Sequence, residues 1–578
     1  MSFRQGMIWA RVALAVFMIG GASIADAQRG RGGNAEPYTP AADAKDLKAV
    51  LFHWMWGMGM LKGHDERDMV ASLEYQGKGT IQVDGQPCTL TKYRASTNYQ
   101  TFSQRIQYAC TRPNGQTYSN IEVVSGLYAW NEDTPGAEIG PTKGKASPMP
   151  SAVQERLIRF WASPQGAPKA AVAGTIETFW LGANPGTLFA DGVSKVGQTS
   201  VSWENGKPLV MFPLPGVPGA MATAYLDSKY MTERVVVKQG STTTEFTYSN
   251  YQDWNNPLNK IQVLYAGKLV ERRNGAAIRD LTTDQTETGN VYVVAPVPAS
   301  VQSAIKVTGQ LPRGVIAKTE TAVNKSAPTP RLGAHPDLSG NWTYTDWIGN
   351  YMTGGGRRCG PTQSTDCTRQ DNQTYDFELY SPSRFGGLNR PVYKPEHWDK
   401  VQQLDMWTNK YDPVMTCQPL GIPREGPPRR IVQTDKDVIF IYTGGDAGGG
   451  YGEYRIIPTD GRKHTKDPNY EFTYLGDTVG RWEGETLVLD SVGFNDATWL
   501  GRGGFFHSGE MHVVERFTRQ GDALLYDVTV EDPEVLVEPW VLPTRTVTRN
   551  PNPDAGLIAE RGDCSVPELG QASSQIRH

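Results

Sequence analysis

Residues 225–257 read YLDSKYMTERVVVKQGSTTTEFTYSNYQDWNNP, and this stretch decides the fold class. Two parts of it, 231–238 and 243–251, are rich in β-branched and aromatic residues, and Gly240 lies between them. Such side chains favour pleated strands, and a glycine between two such stretches is typical of a hairpin. The stretch therefore predicts a pair of antiparallel strands.

The same pattern continues on both sides of this pair. Further strands are predicted at 69–74, 80–83, 100–110, 117–129, 200–203, 209–212, 222–226, 260–265, 268–273 and 277–284. Apolar residues at spacings of three and four predict two helices, at 41–62 and 151–162. The Met and Trp residues of the first helix either belong to an ordinary core or line a ligand pocket.

The strand order of residues 45–298 resembles that of LolA-like periplasmic carriers. The resemblance is carried by the 225–257 stretch and by the paired strands that follow it. It implies a half-barrel, in which a curved antiparallel sheet holds helices and an apolar ligand, and we assign residues 41–308 to this domain. The alternative is a curved sheet filled by its own helices and side chains.

A second β domain is predicted after a linker. Residues 309–336 are rich in Pro and small side chains and are typical of a linker. One helix is predicted at 395–409, and strands at 430–433, 438–442, 453–457, 486–492, 511–518, 523–530 and 544–549. Gly340 and Trp342 open its first strand in a way that resembles the entry of lipocalin-type barrels. The predicted fold is thus mainly β, with a lipocalin-like (calycin-type) barrel at 337–578.

The C-terminal half also resembles a large, poorly characterised family of exported bacterial proteins. The matching stretches are 417–424 (CQPLGIPR), 458–464 (PTDGRKH), 476–487 (GDTVGRWEGETL), 490–495 (DSVGFN), 507–510 (HSGE), 515–517 (ERF) and 531–533 (EDP). The resemblance implies kinship but supplies no activity, so function has to be argued from the residues.

The N-terminus predicts export. Arg4 and Arg11 give positive charge before an apolar run at 12–19, and Ala25-Asp26-Ala27 is a small-x-small cleavage site, as in a secretory signal peptide covering 1–27. The apolar run is far shorter than the ~20 residues that span a bilayer, which argues against a membrane anchor. Residues 28–40 are predicted to be a flexible leader. We therefore expect a periplasmic or secreted protein without stable membrane insertion.

The overall charge gives no sign of a nucleic-acid partner. The 578 residues include 57 Lys and Arg against 61 Asp and Glu, a formal net charge of −4. A protein that binds nucleic acid commonly has a strongly basic surface. The expected partner is a hydrophobic small molecule, and the sequence leaves the oligomeric state open.

The six cysteines fit disulfides in an exported protein. Proximity favours Cys88–Cys110 and Cys359–Cys367, which leaves Cys417 and Cys564, although sequence alone does not choose among the possible pairings. The sequence contains no C-x2-C pair, so a cysteine metal site is not expected. His464, His507, His512, Asp460 and Asp477 could supply other ligands, but they lack a metal-binding spacing, and we predict neither metal nor cofactor.

Charged residues in predicted turns of the second domain form the candidate site. We assign His507 as general base, Asp477 or Glu510 as its orienting or acidic partner, and Arg462 or Arg455 as the holder of an anion. The residues assigned to ligand binding are Arg455, His464, Trp482 and Trp499. The alternative is that Asp460-Gly461-Arg462 is an ordinary hairpin turn and that the other charges are solvated.

Two classes of function remain open. The first is binding of a hydrophobic or lipid-like small molecule in the β-barrel cavities, which needs an apolar cavity with few charges. The second is a cofactor-independent acid–base enzyme, a lyase, isomerase or hydrolase that acts on a hydrophobic small molecule, which needs His507, a carboxylate and an arginine around one void. A surface assembly module, the third possibility, would expose a large aromatic patch.

Overall fold

The computed structural model describes most of the chain from residue 40 onward. The described residues are 40–62, 67–68, 70, 72–99, 101–173, 198–253, 264–288, 291–307, 327–344, 391–404, 412–413, 418–442, 453–465, 472–501, 504–542, 544–552. The predicted signal peptide lies outside this set, as do all but the last residue of the leader and the linker before residue 327. Cys359, Cys367, Cys417 and Cys564 also lie outside it.

The N-terminal part is a thirteen-stranded antiparallel sheet. A short hairpin of β1 (Leu61–Lys62) and β2 (Arg67–Asp68) precedes it. Its strands are β3 (Ser72–Val83), β4 (Gln86–Asn98), β5 (Ser103–Thr111), β6 (Thr117–Ser125), β7 (Tyr128–Glu132), β8 (Ala146–Pro148), β9 (Ser200–Glu204), β10 (Lys207–Pro213), β11 (Ala220–Leu226), β12 (Thr232–Gln239), β13 (Thr242–Asp253), β14 (Leu264–Arg273) and β15 (Ala276–Thr288).

This sheet consists of two meanders joined along one pair of strands. β3 to β8 lie side by side in chain order, and so do β9 to β15, while β15 pairs with β3. The predicted disulfide is confirmed: Cys88 on β4 and Cys110 on β5 are bonded, with their Cα atoms 5.5 Å apart. The bridge joins neighbouring strands and closes a loop within the first meander.

Three helices pack on one face of this sheet: α1 (Leu47–Gly57), α2 (Val153–Trp161) and α3 (Gly166–Ala173). A fourth, α4 (Ala299–Ala304), packs on the opposite face, where its Val301 joins the smaller apolar cluster of Val123 and Trp130. Leu157 and Trp161 of α2 are fully buried in the same apolar cluster as Tyr248 of the sheet, whose hydroxyl donates to the Ala162 carbonyl at 2.6 Å. The chain's own helices therefore pack against the buried face, as both alternatives from the sequence expect.

The C-terminal part is a ten-stranded antiparallel sheet that nearly closes on itself. Its strands are β18 (Gly340–Tyr344), β19 (Arg430–Gln433), β20 (Asp437–Ile441), β21 (Tyr454–Pro458), β22 (Asp477–Glu483), β23 (Thr486–Val492), β26 (His512–Gln520), β27 (Ala523–Glu531), β28 (Trp540–Val541) and β29 (Arg545–Arg549). Two hairpins, β16 (Arg331–Leu332) with β17 (His335–Pro336) and β24 (Trp499–Gly501) with β25 (Phe505–Phe506), accompany it. A 3-10 turn, Pro395–His397, leads into α5 (Trp398–Gln403).

The two end strands of this sheet, β21 and β22, face each other across a seam. A Cβ atom on Gly480 of β22 would lie 2.9 Å from Thr459 and 3.2 Å from Ile457 at the end of β21, so glycine allows the close approach. Within the described residues β21 and β22 are not paired. Towards the beginning of both strands the seam widens into a cleft, described below.

The two sheets are in direct contact. Ile139, Tyr292 and Val294, from the N-terminal part, belong to the apolar cluster of the C-terminal sheet. The guanidinium of Arg105 lies over the Trp398 ring at 4.5 Å. The two parts therefore share buried apolar surface.

The mainly β, antiparallel fold is confirmed, whereas several element bounds differ from the prediction. The helix expected at 41–62 spans Leu47–Gly57, because the Asp46 side chain accepts from the Ala49 N–H at its start and Gly59 has a φ of +71° after its end. The strands expected at 69–74 and 80–83 are one strand, β3. Strands β4 and β22 were not predicted, since both carry many charged or exposed residues.

Candidate functional site

The seam between β21 and β22 contains a cleft of about 340 Å³. Its lining residues are Pro419, Glu453, Tyr454, Arg455, Ile456, Thr473, Tyr474, Leu475, Gly476 and Thr478. Tyr454 is 64% exposed, Ile456 59%, and Phe472, which is next to the lining residue Thr473, 64%. These side chains give the cleft an apolar surface that is open to solvent.

Strand β21 presents alternate side chains to the inside and outside of the sheet. Tyr454 and Ile456 are exposed, while Arg455 and Ile457 are buried. Arg455 is therefore directed into the sheet's interior although it also lines the cleft. This alternation follows from the two-residue repeat of a strand.

Arg455 is held by an internal ion pair. Its Nη1 atom lies 2.6 Å from Glu515 Oε2 and also donates to the Tyr442 hydroxyl at 3.1 Å, and both charged side chains are buried. Burial acts to lower the pKa of Arg455, but the Glu515 carboxylate outweighs it, so this pKa lies above its ordinary value. The guanidinium is thus charged and compensated within the protein.

Hydroxyl groups complete this network. Nη2 of Arg455 donates to Thr478 Oγ1 at 2.9 Å and to Ser491 Oγ at 3.1 Å, and the Tyr526 hydroxyl donates to Glu515 Oε1 at 2.8 Å. Of the three guanidinium nitrogens of Arg455, Nε alone is buried without a hydrogen-bond partner among the described residues. Since both terminal nitrogens are engaged, the guanidinium does not stand open to a ligand anion.

Two carboxyl groups lie beside the cleft. Glu453 lines it, and Glu425 is close enough for the Glu453 charge to act on it. Burial first, and then repulsion from Glu453, raise the pKa of Glu425 to about 8. Oε2 of Glu425 is shielded from solvent and has no hydrogen-bond partner. At neutral pH this group therefore carries a proton that it can donate.

A chain of alternating carboxylates and imidazoles crosses the outer face of the same sheet. His464 lies between Asp477, 3.3 Å from Nδ1, and Asp490, 3.1 Å from Nε2. His512 lies between Glu531, 3.1 Å from Nδ1, and the same Asp490 oxygen, 3.0 Å from Nε2. Burial acts to raise the pKa of Asp490, but hydrogen bonds from the two histidines lower it overall. This chain ties the segment after β21 to β22, β23, β26 and β27.

His507 is buried in a separate place. Its Nε2 lies 2.8 Å from Thr498 Oγ1 and its Nδ1 lies 2.9 Å from the Ser508 carbonyl. The carbonyl only accepts, so Nδ1 carries the hydrogen and the Thr498 hydroxyl donates to Nε2. Burial lowers the pKa of His507, and the imidazole is therefore neutral near pH 7.

The remaining predicted residues are dispersed. Arg462 is exposed and pairs with Asp460 at 2.7 Å, which lowers the pKa of Asp460 to about 2, as in the alternative of a turn with solvated charges. The Glu510 side chain is exposed. Trp482 stacks on His335 with ring centroids 4.5 Å apart, and Trp499 is 5% exposed in the apolar cluster.

The structure therefore brings together only part of the predicted site. In the part of the chain that it describes, no hydrogen bond or ion pair joins His507 to Asp477, Glu510 or Arg462. His464 and Asp477 do meet, and of the predicted site residues Arg455 alone lines the cleft. Across the described ranges, no three His, Cys, Asp or Glu residues are arranged to hold a metal ion.

Sequence reasoning missed Glu425, Glu453 and Asp490. Glu425 is in a Pro-rich segment far from Glu453 in sequence, so nothing in the sequence pairs them. Asp490 could have been found: the strands predicted at 486–492 and 511–518 are neighbours, with Asp490 opposite Val514 and thus near His512.

Comparison with known proteins adds little. Neither a protein-family model nor a curated protein matches the chain. Among solved structures, a LolA superfamily protein from Nitrosomonas europaea is similar to 44% of this chain and 96% of its own, with 6% sequence identity and a TM-score of 0.22. At this TM-score the likeness decides neither fold nor ligand, so both resemblances from the sequence remain predictions. No helix within the described ranges is long and apolar enough to cross a membrane.

Proposed function

We propose that the protein binds a hydrophobic or lipid-like small molecule in the cleft between β21 and β22. The observation that carries this proposal is the exposure of Tyr454 and Ile456, which line a cleft of about 340 Å³, together with that of Phe472, the residue before the lining Thr473. A volume of this size is in the range of ~300–1,000 Å³ that small-molecule sites occupy. The internal compensation of Arg455 by Glu515 supports a ligand that needs no strong anionic group.

A fluorescence titration with N-phenyl-1-naphthylamine, an uncharged hydrophobic probe, tests this proposal. Covering an exposed aromatic side chain by about half is worth ~1 kcal/mol, so Tyr454→Ser with Phe472→Ser should weaken probe binding about 30-fold. Met211→Ser is the matched control, because Met211 is 46% exposed on the other sheet. Equal affinity in all three proteins, or no binding by the unaltered protein, would refute the proposal.

The alternative function, a cofactor-independent acid–base enzyme, is supported by Glu425. Its proton and its place beside the cleft-lining Glu453 suit a general acid, whereas His507 does not line the cleft. Hydrolysis of a hydrophobic 4-nitrophenyl ester provides the assay. Turnover that Glu425→Gln abolishes and His507→Gln preserves would favour this alternative, and absence of turnover would count against it.

We also propose export to the periplasm or beyond, a half-barrel for the N-terminal sheet and a lipocalin-like barrel for the C-terminal one. The disulfide supports export, because such bonds persist in oxidising compartments. N-terminal sequencing of the mature protein should begin at Gln28. A mature chain that begins at Met1 would contradict the proposal.

A further inference from the structure

The hydrogen-bonding direction of β21 leaves part of its backbone facing the cleft. The Tyr442 N–H donates to the Glu453 carbonyl, and the Thr459 N–H donates to the Lys436 carbonyl. The register of β20 and β21 makes both of these directly opposed pairs. In an antiparallel ladder every second residue bonds the same neighbour, so residues 453, 455, 457 and 459 bond towards β20.

The residues that alternate with these four have their backbone groups directed away from β20. The N–H and C=O groups of Tyr454 and Ile456 therefore point towards the seam, and none of the described residues bonds to them. Their N–H and C=O groups are two residues apart, as the free backbone groups of an ordinary edge strand are. The cleft thus offers a ligand backbone hydrogen bonds as well as apolar side chains.

Strand directions show what fits between the two edges. From β21 to β22 the sheet runs β21-β20-β19-β18-β29-β27-β26-β23-β22, and each neighbour is antiparallel to the last. After this even number of reversals β21 and β22 run in the same direction. Where the seam is open, between residues 453–456 and 473–478, one short additional strand would be antiparallel to both β21 and β22.

We propose that the ligand of the cleft is a short apolar peptide in extended conformation, added as a strand antiparallel to β21 and β22. This rests on the proposed function, since such a peptide is one chemical class of hydrophobic small molecule. Its amides bond the Tyr454 and Ile456 backbone, and its alternate side chains lie against the exposed side chains of those residues. Because Arg455 is already paired with Glu515, the peptide needs no charged group.

A pair of synthetic peptides tests the backbone contacts. The first is an end-capped, fluorescently labelled tetrapeptide of valine and threonine, and the second is the same peptide N-methylated at alternate residues. N-methylation keeps the apolar surface and removes the donors, so we expect binding at least about tenfold weaker. Equal affinity of the two peptides, or absence of binding by the first, would overturn the inference.

Two variants of one residue test the protein's side of the contact. Ile456→Pro removes the N–H that faces the seam but leaves the bonds to β20, which suits an edge strand. Ile456→Ala removes only side-chain contacts. We expect the proline variant to bind the tetrapeptide about tenfold more weakly than the alanine variant; equal affinities would contradict the inference.

The hydrophobic probe distinguishes failure of the peptide inference from failure of the proposed function. If N-phenyl-1-naphthylamine binds to the unaltered protein and the peptide does not, the inference fails and the proposed function stands. If neither binds, both fail. Should the proline variant fail to fold, as judged by near-ultraviolet circular dichroism, the comparison of methylated and unmethylated peptides still decides the inference.

Discussion

Replacing Glu515 by glutamine breaks the ion pair inside the C-terminal sheet and keeps the size of the side chain. Glu515 is 0% exposed and Arg455 5%, so neither charge is screened by water. The substitution leaves the Arg455 guanidinium buried with the hydroxyls of Tyr442, Thr478 and Ser491 but no countercharge. Because the whole network is buried, this substitution tests how much the Arg455–Glu515 ion pair contributes to the stability of the C-terminal sheet.

The expected cost follows from that burial. Removing one partner of a buried ion pair destabilises a protein by about 3–5 kcal/mol. For a domain of this size ~1 kcal/mol corresponds to ~2–4 °C, so we expect the unfolding transition of the C-terminal sheet to fall by about 10 °C. Arg455→Met with Glu515→Leu removes both charges and should recover at least half of the loss.

Differential scanning calorimetry of the variants gives the answer. Glu483→Gln is the matched control, because Glu483 pairs with Arg516 on the surface, where water screens the charges, and its loss should leave the transition nearly unchanged. A Glu515→Gln transition within 2 °C of the unaltered protein would refute the reasoning. So would a double variant that is less stable than the single one.

Three further predictions concern stability. Burial lowers the pKa of His507 in the folded protein, so as the pH drops below about 6.5 the unfolded chain binds a proton first and the free energy of unfolding should fall. Urea unfolding from pH 8 to 5 measures this fall, and it should be smaller in His507→Gln. The pKa of Glu425 is raised to about 8, so stability should fall as pH rises from about 4.5 to 8, and Glu425→Gln should flatten that slope. Cys88→Ser with Cys110→Ser opens a loop with a sequence separation of 22 and should cost about 3 kcal/mol, measured by urea unfolding against the oxidised unaltered protein. An unchanged slope or midpoint would contradict the corresponding prediction.

Local sequence patterns predicted the strands well where one face is buried. The strands Arg430–Gln433 and Thr486–Val492 match their predicted bounds, because alternating or continuous β-branched and apolar residues specify a half-buried strand directly. Strand β22 escaped prediction, since Asp477, Arg481 and Glu483 make its sequence look like a turn. It forms a hairpin with β23 across the two-residue turn of Gly484 and Glu485, and the buried Thr478 and Gly480 on its inner face outweigh this local composition.

The candidate site was harder to predict from the sequence, because it depends on which strands pair and in which register. Arg455 was identified, yet its neighbours Tyr454 and Ile456 lie on the outer face of a strand that ends the sheet, and the sequence does not show which strand is the last. Likewise His464 meets Asp477, while His507 lies among Thr498 and Ser508 in a buried turn. A turn's location in the chain does not say which rim of the sheet it joins.

Hydrogen–deuterium exchange with and without N-phenyl-1-naphthylamine shows where on the protein the probe binds. If the ligand occupies the seam, amides in 453–458 and 472–478 should exchange more slowly when the probe is present, while those in the N-terminal sheet keep their rates. Slower exchange confined to 199–213 or to the helices of the N-terminal part would place the ligand elsewhere and contradict the account.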